Sequence, residues 1–310
     1  MWAFLIKRLA GGLLTLFVIA TLCFAIIRFA PGSPFSSERK IPPEVLANIE
    51  RKYGFDKDLH VQYGLRLRGY LSGDLGYSIK YERSVNELLF PSLRYSLMLG
   101  AIAFILAVTF GVALGIIAAA RHNRIPDYLS MSVALTGICV PNFLLGPLLV
   151  MVFSLALSWL PVAGWPDGWS WGELSKIILP AIALSMVHIA YISRLTRAGM
   201  LDVLNKDFIR TARAKGLSEK VVFLKHVLKN GITPVVSYAG PMAAYILTGS
   251  VVVERIFNIN GMGRHFVDSS LARDYDVVMG ALLIYSTLVI GFNLVVDMAY
   301  SFLDPRVRLT

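Results

Sequence analysis

Apolar stretches separated by polar connections organise this chain from end to end. Six of them are long, over about Leu9–Ile27, Leu97–Ala120, Leu129–Leu157, Ile177–Ser193, Ile232–Val253 and Val277–Leu303. Each comes close to or exceeds the ~20 residues with which a helix crosses a hydrocarbon core of about 30 Å. Because only helices or closed barrels satisfy their own backbone in lipid, the pattern predicts an all-α membrane protein of six transmembrane helices. The third and sixth stretches are long enough to require tilt or overhang. Lys7 and Arg8 precede the first stretch as they would in a signal peptide. Its apolar run is longer than a cleavable h-region, however, and no small-residue cleavage site follows before Pro31, so it is expected to stay as the first span.

The polar connections are unequal, and two carry structure of their own. Residues 31–96 separate a tail-plus-span segment (1–30) from a five-span core (97–310). Pro42-Pro43 suits the first turn of a helix carrying Val45, Leu46, Ile49 and Tyr53 at helical spacing, and a second helical patch runs from about Leu59 to Leu71 before SGDLG. This small helical cap either packs on the bundle or meets an external partner. Residues 194–231 form the second. Here Asp207 is expected to cap a helix through Phe208–Lys215, and Gly216 fits the left-handed position that ends it. Ser218 then caps a second helix with Val221, Leu224 and Leu228 as its apolar stripe, stopped by Asn230-Gly231. Lys206, Arg210 and Arg213 share one face of the first helix. Either that face rests on anionic headgroups, or the pair of helices is a rigid lever set into a soluble partner, with Gly216 allowing close backbone approach.

Composition supports the membrane reading. Charged residues make up 16% of the chain, where a soluble protein carries nearer a quarter. The net charge of +10 could suggest nucleic acid, but the bases flank apolar spans, which is the positive-inside pattern, and no nucleic-acid partner is expected. With the N-terminus inside, Lys7, Arg8, Arg121, Arg124, nine bases of 194–231, Arg306 and Arg308 are cytoplasmic, against Lys176, Arg255, Arg264 and Arg273 in short outer loops. Both termini are therefore expected inside. Trp159, Trp165, Trp169 and Trp171 then fall in one outer loop, as an interfacial belt would. Cys23 and Cys139 lie in apolar runs and are read as packing residues.

Candidate chemistry is sparse. No G-x-x-x-x-G-K-[ST] phosphate loop is present, so ATP is not bound in that way. His60, His122, His188, His226 and His265 have no ligand spacing, and no metal site is expected. No nucleophile, base and metal cluster suggests an enzyme. Asp297 and Glu254 lie near span ends and read as interfacial or bonded to a neighbouring helix. His188 lies deep in a span, where a histidine bonded to backbone competes with a substrate contact. Gly111-x-x-x-Gly115 permits close helix approach, and Pro141, Pro147, Pro180, Pro234 and Pro241 can bend spans three to five. A cavity built from these spans would be apolar and hydroxyl-lined, with Ser185, His188, Ser237, Tyr245, Thr248, Ser250 and Asn293 as its candidate contacts. On the outer side Asn260, Gly261, Met262 and Gly263 read as a turn available to a partner or to the substrate.

TARAKGLSEKVVFLKHVLKN resembles the EAA loop of permease subunits in bacterial ATP-binding-cassette importers, with Gly216 and Ala212 at matching positions. Arg210 stands where that pattern has an acid, Thr211 replaces an alanine, and Asn230 replaces the terminal proline region. RTARAKGL is similar instead to the peptide-permease branch (dipeptide, oligopeptide and nickel importers). So are RFAPGSPF at 28–35, PPEVLANIERKYG at 42–54, Leu247–Ser250 with Glu254, and LDPRVR at 303–308. The first two of these look most like the first permease subunit of oligopeptide importers. The resemblance implies a type I importer fold in the bacterial inner membrane. It also implies a second homologous permease, two ATPase subunits that use ATP and Mg, and a periplasmic or lipid-anchored binding protein delivering a peptide; dipeptide, nickel-complex and haem importers share the pattern. Asp207, Phe208, Ile209, Arg210, Thr211, Ala212, Arg213, Ala214, Lys215, Gly216, Leu217 and Ser218 would then couple to the ATPases. A secondary transporter or channel is the alternative, but it offers no use for 194–231.

Overall fold

A computed structural model describes residues 2–29, 57–247 and 251–303. The helix expected from Pro42, the candidate contacts Thr248 and Ser250, and most of the 28–35 and 303–308 stretches lie outside the described residues. The elements are α1 (Trp2–Phe29), α2 (Leu59–Leu71), the strands β1 (Tyr77–Ser78) and β2 (Arg83–Ser84), and α3 (Val85–Ala120). They continue with α4 (Ile125–Cys139), α5 (Asn142–Leu149) and a π-helical segment (Val150–Ala156). Then come α6 (Trp171–Leu174), α7 (Ile178–Leu204), α8 (Asp207–Ala214), α9 (Glu219–Val221), a second π segment (Val222–Leu228) and α10 (Lys229–Gly231). The chain closes with α11 (Thr233–Leu247), α12 (Val251–Ile256), α13 (Met262–Leu271) and α14 (Tyr275–Leu303). The strands form an antiparallel hairpin that pairs Tyr77 with Ser84 and Ser78 with Arg83.

Four helices among the described residues are long and apolar enough to cross a membrane: Phe4–Ile27, Val85–Ala120, Trp171–Leu204 and Tyr275–Met298. Ile125–Cys139 and Phe143–Ala156 reach that length together, but bend by 117°. The third stretch is therefore a broken helix and not a continuous one. Pro141 explains the place of the break, since its ring disfavours the helical conformation in the residue before it, and Val140 is extended at φ −97°, ψ 117°. The fifth stretch holds α11 and α12 on either side of residues 248–250. Two boundaries also move. α3 starts at Val85, three turns before the apolar run, and carries Pro91 inside it; α7 continues past Ser193 to Leu204.

The chain divides into two compact units, Met1–Tyr95 with Asn260–Ile290 and Ser96–Ile259 with Gly291–Arg308. The first gathers Leu75, Val85, Leu88, Leu89, Met262, Val277, Ala281 and Ile284 into one core. The second is arranged around α7. Lipid is as apolar as leucine, so helices here gain by close van der Waals packing, which small residues permit. A side chain at Gly111 would meet Ile192 Cβ at 2.7 Å, and one at Gly115 would meet the Ser193 carbonyl at 2.7 Å, so the predicted glycine pair is where α3 crosses α7. Gly137 brings α4 against the Met186 backbone in the same way. Beside these crossings Ala107, Ile189, Ile192, Val235 and Met242 fill a second core.

Candidate functional site

The segment after α7 is built on an apolar core. Ile209 and Ala212 of α8 turn inward onto Met200, Val222, Val227 and Ala119, all buried. Outside a membrane, burying an isoleucine- or methionine-sized side chain contributes about 1.5–3 kcal/mol, so these four larger residues fix the position of α8. Asp207 does not cap it. Lys206 is the capping residue, and Asp207 sits in the first turn, where its carboxylate complements the helix dipole and lies 3.5 Å from Arg210. Gly216 ends the turn at φ +77°, and its amide donates to Arg213 O at 2.9 Å. Ser218 does occupy the capping position of the next helix, but its hydroxyl makes no capping bond. Arg213 closes the elbow from α8 to α9, donating from Nε and Nη2 to the Glu219 carboxylate at 2.8 and 3.2 Å.

The apolar stripe of the second helix keeps only Leu228 of the three residues expected in it. Val222 and Val227 are buried, whereas Val221 and Leu224 are exposed. The cause is the winding. Residues Val222–Leu228 are π-helical, so side chains five apart stack where an α-helix would stack those three and four apart. With Ile209 and Ala212 facing inward, Phe208, Arg210, Thr211, Arg213, Ala214, Lys215, Gly216, Leu217 and Ser218 are left outward together with Asp207. Where α10 follows, a side chain at Gly231 would meet Met200 Cα at 2.9 Å, and one at Gly199 would run into the Gly231 carbonyl. Two glycines thus set backbone on backbone between α7 and α10. One turn earlier on α7, Arg197 grips the buried Asp127 of α4 through both oxygens at 2.7 and 2.8 Å. Asp127 also accepts from the Asn123 amide at 2.9 Å. Sequence reasoning missed this pair, since no spacing links Asp127 to Arg197, seventy positions on.

The candidate pathway residues separate. Ser185 is buried and donates to Ile182 O at 3.1 Å, and Asn293 lies on α14, half-buried. His188 is 8% exposed, and its Nδ1 shares a hydrogen bond of 2.9 Å with the Tyr238 hydroxyl and not with backbone. Tyr245 stands edge-on to His188 at 6.0 Å between ring centres, and Tyr191 lies 5.7 Å from Tyr238. Four rings from α7 and α11 therefore follow one another, with Ser237 also exposed on α11. Tyr191 and Tyr238 were not among the expected contacts. Their signal is present, since Tyr191 is three residues from His188 in an otherwise apolar run, one turn of the same helix.

In the first unit the expected turn at 260–263 is the start of α13. Asn260 is exposed and accepts from Arg264 at 3.0 Å, while Gly261, Met262 and Gly263 are buried, Met262 within the core. Polar groups knit the surrounding lobe together. Ser78 makes a short hydrogen bond to the buried Asp274, which also accepts from the Lys80 amide at 3.1 Å. Arg66 pairs with Asp276 at 2.8 Å. Gly76, at φ +99°, lies against this pair: a side chain there would meet Arg66 Nη1 at 2.6 Å and Asp276 Oδ2 at 2.9 Å. Burial, and then the Asp276 carboxylate, push the Tyr70 hydroxyl up to about 12.

Comparison with known proteins places this arrangement. Residues 111–309 match the family model of the binding-protein-dependent transport system inner membrane component, and residues 1–99 match the model of its N-terminal region. The oligopeptide transport system permease proteins OppB of Haemophilus influenzae and Escherichia coli K12 are 44% and 45% identical to it. Each alignment covers 99% of this chain and 100% of the relative. The dipeptide transport system permease protein DppB of Bacillus subtilis is 43% identical over 99% of this chain and 98% of its own. Among solved structures, an amino acid ABC transporter chain superposes with a TM-score of 0.55 at 16% identity, covering 71% of this chain and 94% of that one. The MetNI methionine ABC transporter gives 0.56 at 14% identity, covering 68% and 94%. The fold is that of type I ABC importer permeases, and the chain belongs to the family of binding-protein-dependent transport system inner membrane components.

Proposed function

We propose that this permease subunit, a transporter component and not an enzyme, forms half of a path by which peptides are driven across the cytoplasmic membrane. The peptide is the substrate that the names of the oligopeptide and dipeptide relatives suggest. The other half of the path is a second, homologous permease. An external binding protein, periplasmic or lipid-anchored, delivers the peptide, and two ATPase subunits bind ATP and Mg. Both termini and residues 194–231 are cytoplasmic, which the distribution of lysine and arginine supports.

The observation that carries the proposal is the elbow at Gly216. A surface helix turns Ile209 and Ala212 into a core and leaves Phe208, Arg210 and Leu217 outward, an arrangement suited to a groove in a soluble partner. Because α8 is fixed to Met200 of α7, motion received there passes to a membrane-spanning helix.

Gly216 supplies the test. A side chain there meets nothing within 4 Å, so any penalty is conformational: about 1–2 kcal/mol for most residues in a left-handed position, and less for asparagine. Gly216→Val is expected to assemble with its partners yet to lower peptide import in proteoliposomes about tenfold, the factor that 1.4 kcal/mol gives. ATP hydrolysis should no longer respond to the binding protein, whereas Gly216→Asn should keep most of the import. Full, coupled import by the valine variant would refute the assignment of the elbow.

A further inference from the structure

Several elements of the second unit converge on one turn of α7, from Thr196 to Met200. Gly115 of α3 lies against Thr196, Gly199 lies against the Gly231 carbonyl of α10, and Met200 receives Ile209 and Ala212 of α8. Dispersion contacts of this kind reward closeness and set little direction. Arg197, inside the same turn, makes a contact of another kind. Its Nε and Nη2 donate to the two carboxylate oxygens of Asp127 at 2.7 and 2.8 Å, a bidentate grip that fixes distance and angle together. Lys176 with Glu173, Arg210 with Asp207 and Arg213 with Glu219 are pairs close in sequence. This one joins two helices seventy residues apart.

Asp127 is 1% exposed, and its Oδ2 also accepts from the Asn123 amide at 2.9 Å. His122 Nδ1 lies 3.1 Å from Arg197 Nη2 and 3.3 Å from that same oxygen. Drawing the guanidinium away while Asp127 stays buried would strand a carboxylate out of water without this countercharge, so separation is strongly opposed. α4 therefore follows where Arg197 goes. It needs such a hold, because it ends at the break before Pro141, where the third span bends by 117°. No straight continuation into α5 fixes its direction. It packs along α7 instead, through Gly137 against the Met186 backbone near its end and through Asp127 in its first turn. We propose that Asp127 and Arg197 are positioning residues for import: the pair pins the first turn of α4 to the turn of α7 that receives the elbow, so that the first half of the broken span moves with α7. The proposal rests on the coupling role given above to the elbow at Gly216.

The test uses the whole complex in proteoliposomes, with the binding protein, a tripeptide and ATP. Asp127→Asn keeps an acceptor at the site, and the Arg197 side chain, 27% exposed, can turn to water, so the variant is expected to assemble. Its maximal import rate should fall about tenfold, within the ordinary range of a coupling between sites, while the half-saturating concentration of loaded binding protein stays the same. Spin labels are placed on Thr136 of α4 and Ala198 of α7, both exposed, in a chain carrying Cys23→Ser and Cys139→Ser. With Asp127 present they should keep one separation whether or not vanadate traps the ATPases; with Asp127→Asn a second separation should appear on trapping. Should the asparagine variant fail to assemble, Asp127→Cys/Arg197→Cys in the same background carries the test. Bridging that pair with a bismaleimide after assembly should restore most of the import lost without the bridge, which a role in folding alone would not do. Full import by Asp127→Asn, equal changes of separation with and without Asp127, or no recovery on bridging would each overturn the pin. Gly216→Val separates the two failures. If it uncouples import while Asp127→Asn imports at the wild-type rate, only the pin falls; if it imports fully, the elbow reading falls and the pin with it.

Discussion

The lobe around Asp274 and the lobe around Gly216 are both small polar outgrowths of apolar helices, yet they are assembled on opposite plans. In the first, polar side chains point inward and join residues far apart in sequence: Ser78 to Asp274, and Arg66 to Asp276. In the second, the inward side chains are apolar. The ion pairs, Asp207 with Arg210 and Arg213 with Glu219, are local and lie on the surface. A buried hydrogen bond between distant segments specifies one arrangement, because leaving either partner unsatisfied costs about 1–3 kcal/mol. A surface pair contributes about 0–1 kcal/mol and leaves its groups available to something else. The first lobe thus spends its polar chemistry on its own shape. The second holds its shape with four large apolar side chains and turns its polar chemistry outward, as a surface that transmits motion to a separate subunit requires.

The contrast is most exposed to test at Ile209. If the Gly216 lobe stands on its apolar core, Ile209→Ala should destabilise it by about 2–5 kcal/mol, the usual cost of emptying a buried isoleucine site. Limited proteolysis of the assembled complex would then cleave within 205–230 well before wild type does. Unchanged protection would mean that the lobe is held by something other than the core seen here.

The corresponding change in the first lobe is Asp274→Ala. It leaves the Ser78 hydroxyl hydrogen and the Lys80 amide without their acceptor, at about 1–3 kcal/mol each, while Ser78 Oγ still accepts from the Tyr81 amide. A clear fall in the melting temperature of the purified complex is expected, while Glu219→Gln, which touches only a surface pair, should shift it far less. Equal shifts for the two variants would abolish the distinction between the lobes.

The two plans also explain what could be read from sequence. The elbow was legible because its determinants are local: Gly216 in a left-handed position, a helix on each side, and an exposed run of bases. Two of the three residues of its expected apolar stripe, Val221 and Leu224, face outward, because winding, unlike propensity, leaves no mark in the sequence. The π-helical register buries Val222 and Val227 instead and keeps Leu228 packed against the core. Four spans, and a fifth if the bent pair counts as one, were legible from length and composition, and a bend in the third from Pro141 and Pro147. The knitting of the other lobe was not. Ser78 and Asp274 are 196 positions apart, and a lone serine and a lone aspartate carry no pattern that pairs them. The same limit hid Tyr238. His188 stood out as an ionisable group in a span, but its partner is fifty residues on in another helix.

The smallest expected effect concerns acid. His265, on α13, packs edge-on against Tyr81 with ring centres 5.5 Å apart. Burial, and then the charge of Arg264, hold its imidazole below the usual histidine range. An unfolded histidine titrates near 6.5. Above that value His265 is neutral in both states and stability does not depend on it. As the pH falls below about 6.5 the unfolded form takes up the proton first, so this lobe loses stability on acidification until the folded ring protonates as well. Melting curves of the complex between pH 7.5 and 5 should therefore slope downward with acid more steeply in wild type than in His265→Gln, which removes the titration but keeps a polar side chain of similar reach. Equal slopes in wild type and His265→Gln would mean that the acid-sensitive contacts of this lobe lie elsewhere than at the ring packed on Tyr81, and that its inward-facing polar groups do not tie its stability to this histidine.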